Sequence, residues 1–354
     1  MAGGTGGHVF PGLAVAAALR ERERDVVWLG THRGLEARVV PQHGIDIEWI
    51  SIAGLRGKGL GAALAAPFRI SRAIVQVLGA MRRRRPSAVL GMGGFVSGPG
   101  GIAAWLSRRP LVIHEQNAVA GTTNRWLARF ASRVFEAFPG SFPAGVEAEC
   151  VGNPVRRSIA ALTPASQRIA SSAARRPRLL VLGGSQGARV LNDVVPAALA
   201  RLAPDARPEV LHQSGREHER AVARYREAGV DARIEAFIDD MAGAYGWADF
   251  AVARSGALTV SELAAAGLGA ALVPYPHAID DHQRRNAEQF AARGAGIVLD
   301  ERDLSADALA AALEPLLRDP TRLSAMSEGA ASFARADAAE RLADACIALA
   351  EGAA

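Results

Sequence analysis

The chain has 354 residues, a net charge of +5 and 49% hydrophobic residues, enough material for two domains with sizeable cores. Its two cysteines, Cys150 and Cys346, stand far apart, which excludes a disulfide scaffold, and no Cys/His spacing suggests a zinc site. No apolar run reaches the roughly 20 residues that span a bilayer, and no basic-then-apolar leader opens the chain, so a cytoplasmic protein is expected.

The chain opens on Gly3-Gly4-Thr5-Gly6-Gly7-His8, with a helical pattern over residues 12–22 behind it. Glycines ahead of a helix start expose backbone N–H groups and favour anions. Such a turn normally follows a strand, and almost no chain stands before this one. The expectation is that the first strand is missing and that the natural chain starts several apolar residues before Met1. His8 reads either as a surface or cap histidine, or as a group brought close to substrate by the glycines. Short apolar runs at 26–30, 45–50, 88–92, 111–114 and 133–136 alternate with helical patterns that include 67–84 and 123–130. That order implies a parallel sheet covered by helices on both faces.

Between Ser51 and Pro110 the chain carries Arg56, Lys58, Arg69, Arg72, Arg82, Arg83, Arg84, Arg85, Arg108 and Arg109, and no Asp or Glu. The stretch 60–80 adds Leu60, Leu64, Phe68, Ile70, Ile74, Val75, Val77 and Leu78. Basic and apolar residues side by side suit an anionic membrane surface, against the plainer reading of a solvated face over a core helix. Nucleic acid is disfavoured, because no aromatics interleave with the arginines. The glycine cluster at 91–101 costs backbone entropy and suggests an anion or sugar cradle. His114-Glu115-Gln116-Asn117, at the end of a strand, could bind a polyhydroxyl ligand; on residues alone it reads equally as a polar loop.

Residues 158–176, rich in Ala, Ser and Arg, read as a linker. The pattern then restarts with a strand at 178–182 and a second turn, Gly183-Gly184-Ser185-Gln186-Gly187. Strands are expected at 209–212, 232–236, 250–253, 270–273 and 296–299, and helices at 188–203, 258–266, 281–293, 306–317 and 335–350. Neither glycine turn continues as G-x-G-x-x-G or into Gly-Lys-Ser/Thr, so dinucleotide and P-loop readings are set aside. Arg254-Ser255-Gly256 leads into a helix start suited to a diphosphate, with Arg254 to neutralise charge and Glu262 to accept hydrogen bonds from a ribose diol. In the loop 277–286, Asp280-Asp281-His282 is read as helix capping rather than a metal site. No metal and no cofactor are expected.

The segments GGTGGHVFPGLAVA, GMGGFVSGPGG, HEQNAVAGTTNRWLA, VGNPVR, GGSQGARVLN and FIDDMAGAYGWADFAVARSGALTVSELAAAGLGA together resemble the MurG family, over nearly the whole chain and in the family's order. The resemblance implies an α/β fold of GT-B type: two Rossmann-like domains with parallel sheets facing a central cleft. Their expected extents are 1–157, joined by a returning C-terminal helix at 335–354, and 158–334. It implies an inverting transferase that moves N-acetylglucosamine from UDP-N-acetylglucosamine to the 4-hydroxyl of the muramic acid of lipid I, making lipid II. The implied location is peripheral, on the cytoplasmic face of the inner membrane, with an anionic membrane surface and other cell-wall synthesis proteins as partners. By the same resemblance Thr5, Gly6 and Gly7 approach the donor. Asn117, Arg156, Ser185, Ile238, Ala257, Leu258, Thr259, Val260, Ser261, Glu262 and Gln283 complete its site, beside Arg254. His8, Glu115 and Asn124 line the acceptor side, with His8 expected as the base and Glu115 as its rival. Phe95 stands where family members often carry Tyr. A UDP-N-acetylglucosamine 2-epimerase and a non-catalytic sugar-binding protein are the competing classes.

Overall fold

The computed structural model describes residues 1–52, 59–170, 175–184 and 187–352. The chain divides into two compact units, residues 1–156 with 336–354, and residues 157–335.

The first unit carries strands β1 (Val27–Gly30), β2 (Asp46–Trp49), β3 (Val89–Gly91), β4 (Leu111–Glu115), β5 (Arg133–Glu136) and β6 (Glu149–Cys150). β1 pairs with β2, and β3, β4, β5 and β6 pair in that order, all in parallel. Side chains alternate between two cores, as a pleat with period two requires. Trp28, Val112 and Phe135 enter one core; Leu29, Leu111, Ile113 and Val134 enter the other. The first core is closed by the helix Gly6–Glu21 through Val9 and Leu13, and by the helix Ala338–Gly352 through Leu342 and Cys346. Each fully buried aliphatic side chain there contributes about 1.5–3 kcal/mol. Ion pairs Arg22–Asp344 (2.9 Å) and Arg24–Glu351 (2.5 Å) fasten the same two helices at the surface. The second core is closed by the helices Gly59–Arg84, Ser97–Leu106 and Thr122–Leu127.

Residues 1–2 run along β3. The Met1 amine donates to Leu90 O (2.7 Å), the Met92 N–H donates to Met1 O (2.9 Å), and the Trp28 indole of β1 donates to Ala2 O (2.9 Å). These two residues take up part of the place beside β3 that a first strand would fill.

The second unit carries β7 (Arg178–Leu182), β8 (Glu209–Gln213), β9 (Arg233–Glu235), β10 (Phe250–Ala253), β11 (Ala270–Leu272) and β12 (Gly296–Val298). Its parallel sheet has the order β12-β11-β10-β7-β8-β9. Strand order reverses between β7 and β10, the switch point where doubly wound sheets bind ligands at their carboxyl ends. Both the second glycine turn and the Arg254–Gly256 turn leave the sheet there.

Four expectations are corrected. The first helix starts at Gly6, not residue 12, so the glycine turn is itself the opening of the helix. Apolar periodicity cannot register glycines. The helix expected from Pro67 runs from Gly59 straight through that proline. The supposed linker holds the helices Arg157–Ala160 and Ala165–Ala170, which belong to the second unit. Ile169 is buried there, and Arg168 donates to the carbonyls of Gly246 and Ala248. Finally, Asp281 sits left-handed (φ 52°) before the helix His282–Ala291 and makes no side-chain cap; its carboxylate pairs with Arg284 (3.3 Å).

Candidate functional site

In the first unit the sequence-predicted residues gather at the carboxyl end of the sheet. Thr5 is the N-cap of the first helix, and Gly6, Gly7 and His8 form its first turn. Pro11 has no N–H to offer the Gly7 carbonyl. The turn is held from inside by a residue that sequence reasoning missed. Glu36 is fully buried and accepts from Gly4 N–H (3.1 Å), Thr31 N–H (3.0 Å) and Thr31 Oγ1 (2.8 Å). A carboxylate already on the glycine turn opposes a phosphate at the same donors. A charged residue in a polar stretch leaves no sequence signal for such a role.

Close packing accounts for several glycines of the cluster at 91–101. A Cβ on Gly94 would lie 2.4 Å from Gly3 O, one on Gly100 would lie 2.0 Å from Met1 Sδ, and one on Gly101 would lie 2.5 Å from Leu127. Gly94 (φ 78°) and Gly93 (φ 86°) also hold left-handed backbone. The Phe95 ring packs over Gly4, 3.3 Å from where a Cβ would stand.

After β4, Glu115 is buried at 3% exposure and organises the next loop. Its Oε1 accepts from Asn117 N–H (3.0 Å) and Asn117 Nδ2 (3.1 Å); its Oε2 accepts from Gly121 N–H (3.0 Å) and Asn124 Nδ2 (2.9 Å). Asn124 Nδ2 also donates to His114 O (3.1 Å), and its buried Oδ1 has no partner among the described residues. His8 Nδ1 lies 2.9 Å from Gln116 Oε1. Arg156 rests its guanidinium over the Phe10 ring (5.7 Å).

In the second unit the helix Ala257–Ala265 starts at Gly256 with no side-chain cap. Its first intrahelical bond runs from Val260 N–H to Gly256 O (3.0 Å), so the N–H groups of Ala257, Leu258 and Thr259 are available to an anion. Ala257 and Val260 are buried, which leaves backbone rather than side chain to contact a ligand at those positions. Ser261 Oγ donates to Ala257 O (2.9 Å). Glu262 is buried and accepts from Tyr245 OH (3.1 Å). Gln283 Oε1 accepts from Tyr275 N–H (2.9 Å), and Ile238 N–H donates to Gln213 Oε1 (3.2 Å). Gln213, unremarked in the sequence, also donates to Gly184 O (3.2 Å) and so ties Ile238 to the second glycine turn. Ser185 lies outside the described residues. Arg254 is drawn elsewhere than expected: its guanidinium pairs with Glu301, donates to Val273 O (3.1 Å), and sits over the Tyr275 ring (5.4 Å).

The basic run is also redistributed. Arg83 pairs with Glu48 (2.6 Å), and Arg84 pairs with both Glu48 (2.7 Å) and Asp46 (3.2 Å). Their hydrogen bonds and charge hold the Glu48 carboxyl below its usual range. Exposed apolar side chains lie instead at Phe68 and Val75, and in a ring cluster of Trp105 with Phe130 (5.4 Å) and Trp126 with Phe130 (5.2 Å). Arg69, Arg72, Arg108, Arg125 and Arg129 are exposed on the same helices or next to them. Among the described residues no helix is long and apolar enough to cross a membrane. Arg56, Lys58 and the side chains of Leu60 and Leu64 lie outside the description.

Residues 1–136 match the glycosyltransferase family 28 N-terminal domain, and residues 178–342 match the C-terminal domain of that family. A Nitrosococcus oceani protein is 57% identical over 99% of this chain and 98% of its own length. An Alkalilimnicola ehrlichii protein is 55% identical over 98% of this chain and 97% of its own. Both carry the name UDP-N-acetylglucosamine–N-acetylmuramyl-(pentapeptide) pyrophosphoryl-undecaprenol N-acetylglucosamine transferase. The crystal structure of Acinetobacter baumannii MurG is 38% identical and superposes with a TM-score of 0.84, covering 98% of both chains. A Neisseria meningitidis UDP-GlcNAc 2-epimerase shares the fold (TM-score 0.68) at 11% identity.

Proposed function

The chain belongs to the MurG transferases of glycosyltransferase family 28, and on that premise we propose which of its residues carry the reaction. It transfers N-acetylglucosamine from UDP-N-acetylglucosamine to the N-acetylmuramyl residue of lipid I in peptidoglycan synthesis. In our reading His8 Nε2 takes the proton of the acceptor's 4-hydroxyl as that oxygen bonds to the anomeric carbon. The bond from that carbon to the diphosphate breaks on the opposite face, which inverts the centre and releases UDP. In the second unit the N–H groups of Ala257, Leu258 and Thr259 meet the charge that grows on the leaving diphosphate. Ile238, Glu262 and Gln283 hold the nucleoside; Arg254 braces the neighbouring turn. In the first unit Thr5, Gly6, Gly7 and Asn117 face the sugars. Glu115 and Asn124 shape the loop behind them. The four hydrogen bonds that Glu115 accepts occupy both of its oxygens and leave none turned to an acceptor hydroxyl, which favours His8 over Glu115 as the base.

The observation that carries the assignment is His8 itself. Nδ1 meets Gln116, and Nε2 has no partner among the described residues. The test is UDP release with a lipid I analogue, comparing wild type with His8→Ala across pH. A base contributes about 10²–10⁴ in rate, so a variant with near-normal kcat removes His8 from that role. Epimer formed without acceptor is the outcome that favours the competing class. The exposed Trp105, Trp126, Phe68 and Val75 with their arginines support peripheral attachment to an anionic membrane, where the acceptor lipid resides.

A further inference from the structure

We propose that Gln116 and His114 are positioning residues. A hydrogen-bond relay from Gly152 through His114 and Gln116 holds the proton of His8 on Nδ1 and leaves Nε2 bare. The relay rests on the reading of His8 as the base only for its use, not for its existence.

The direction of every bond follows from its far end. The Gly152 carbonyl can only accept, so His114 Nε2, at 2.9 Å, carries a hydrogen. His114 is fully buried, and burial pushes its imidazole down to about 4, so the ring is neutral at working pH and Nδ1 is a lone pair. That lone pair faces the Gln116 amide nitrogen at 2.9 Å, and the same nitrogen reaches His114 O at 3.2 Å. Gln116 Oε1 is thereby turned to His8 Nδ1, 2.9 Å away, and an oxygen there requires N–H on Nδ1. Glutamine suits the middle of such a chain because it donates at one atom and accepts at the other.

The relay is braced on both sides. Asn153 Nδ2 donates to Gln116 O (3.0 Å), and Gly152 is left-handed (φ 83°), which places its carbonyl beside the His114 ring. This assigns a task to the VGNPVR segment. Gly93 seats the His8 ring against bare backbone: a Cβ there would lie 2.9 Å from His8 Cε1 and Nδ1. Among the described residues, the charged and titratable groups on the elements that carry and flank His8 include neutral His114, Glu115 with its own donors, Glu36 on the Gly4 N–H and Arg156 over Phe10. An amide partner orients the imidazole without stabilising its cation as a carboxylate would.

The experiment is 15N NMR on histidine-labelled protein, with the His8 signals identified by their loss in His8→Gln. Wild type should show Nδ1 protonated and Nε2 unprotonated. Gln116→Leu should lose that preference and lower kcat on the order of tenfold, with KM for UDP-N-acetylglucosamine within about twofold. Gln116→Glu keeps the shape and an oxygen toward His8 but offers His114 no donor. It should move the acid limb of the pH–kcat profile up by about one pH unit. A wild-type His8 protonated on Nε2, or a Gln116→Leu protein that keeps the wild-type preference, overturns the relay; a Gln116→Glu profile that does not move while the wild-type tautomer is as expected overturns the base assignment. The expected tautomer combined with an active His8→Ala leaves the relay standing and overturns the base assignment.

Discussion

Replacing Glu115 by glutamine separates a structural carboxylate from a catalytic one. Each carboxylate oxygen accepts two N–H groups, from Asn117 on one side and from Gly121 and Asn124 on the other. Whichever way a glutamine amide turns, its NH₂ faces two donors in a place where only 3% of the residue meets solvent. Hydrogen bonds to a charged group contribute about 1.5–3 kcal/mol each, so two lost at the lower end cost about 3 kcal/mol. That is about a 150-fold increase in local opening. Hydrogen exchange of the Asn117 and Gly121 amides reads it directly, with peptides from β7 and β8 as internal reference. Exchange within about threefold of wild type would falsify the keystone role. The pH–kcat profile of the same variant should keep its acid limb, because His8 remains; its disappearance would return Glu115 to the position of base.

Three further outcomes are expected. Trp105→Ala with Trp126→Ala should weaken sedimentation with anionic vesicles at least tenfold, since each ring offers about 1–2 kcal/mol of buried apolar surface. Arg83→Gln with Arg84→Gln should change it about twofold at most, because those guanidinium groups already face Glu48 and Asp46; the reverse ranking would place the interface elsewhere. Burial lowers His114 to about 4 and His212 to about 3. Between those values and about 6.5 the unfolded chain binds more protons, so this share of stability is complete above about pH 6.5 and drains as pH falls. His114 alone accounts for on the order of 3 kcal/mol by pH 4. Urea unfolding at pH 7 and pH 4.5 should show the loss, reduced in the His212→Phe/Tyr225→Phe double variant. Equal acid sensitivity in that variant would count against the buried imidazole.

Much of the candidate site was legible because its residues sit where strands end. Glu115 and Gly256 stand at the ends of apolar runs, where a glycine or polar residue marks the carboxyl end of a strand, and the glycines before His8 mark a helix start. Roles were less legible than positions. Arg254 looked like a diphosphate partner, yet Glu301, some 47 residues on, holds it. Arg83 and Arg84 looked free, yet Glu48 and Asp46 across the neighbouring strand meet them. Glu36 and Gln213 gave no signal at all, and Asn153 only as part of a motif without a task, because a buried polar residue is defined by its partners and those are distant in the chain.

Local sequence was sufficient for the alternation of strands and helices, for the parallel sheets in both halves, and for the family. Those properties depend on periodicity and on short motifs that the chain carries in order. Tertiary structure alone decided the protonation pattern. The Nδ1–H of His8 is set by a carbonyl at Gly152, which stands 144 positions away in sequence and reaches it through two intervening side chains. A hydrogen bond has direction only when both ends are in place, and only the folded sheet edge brings them together.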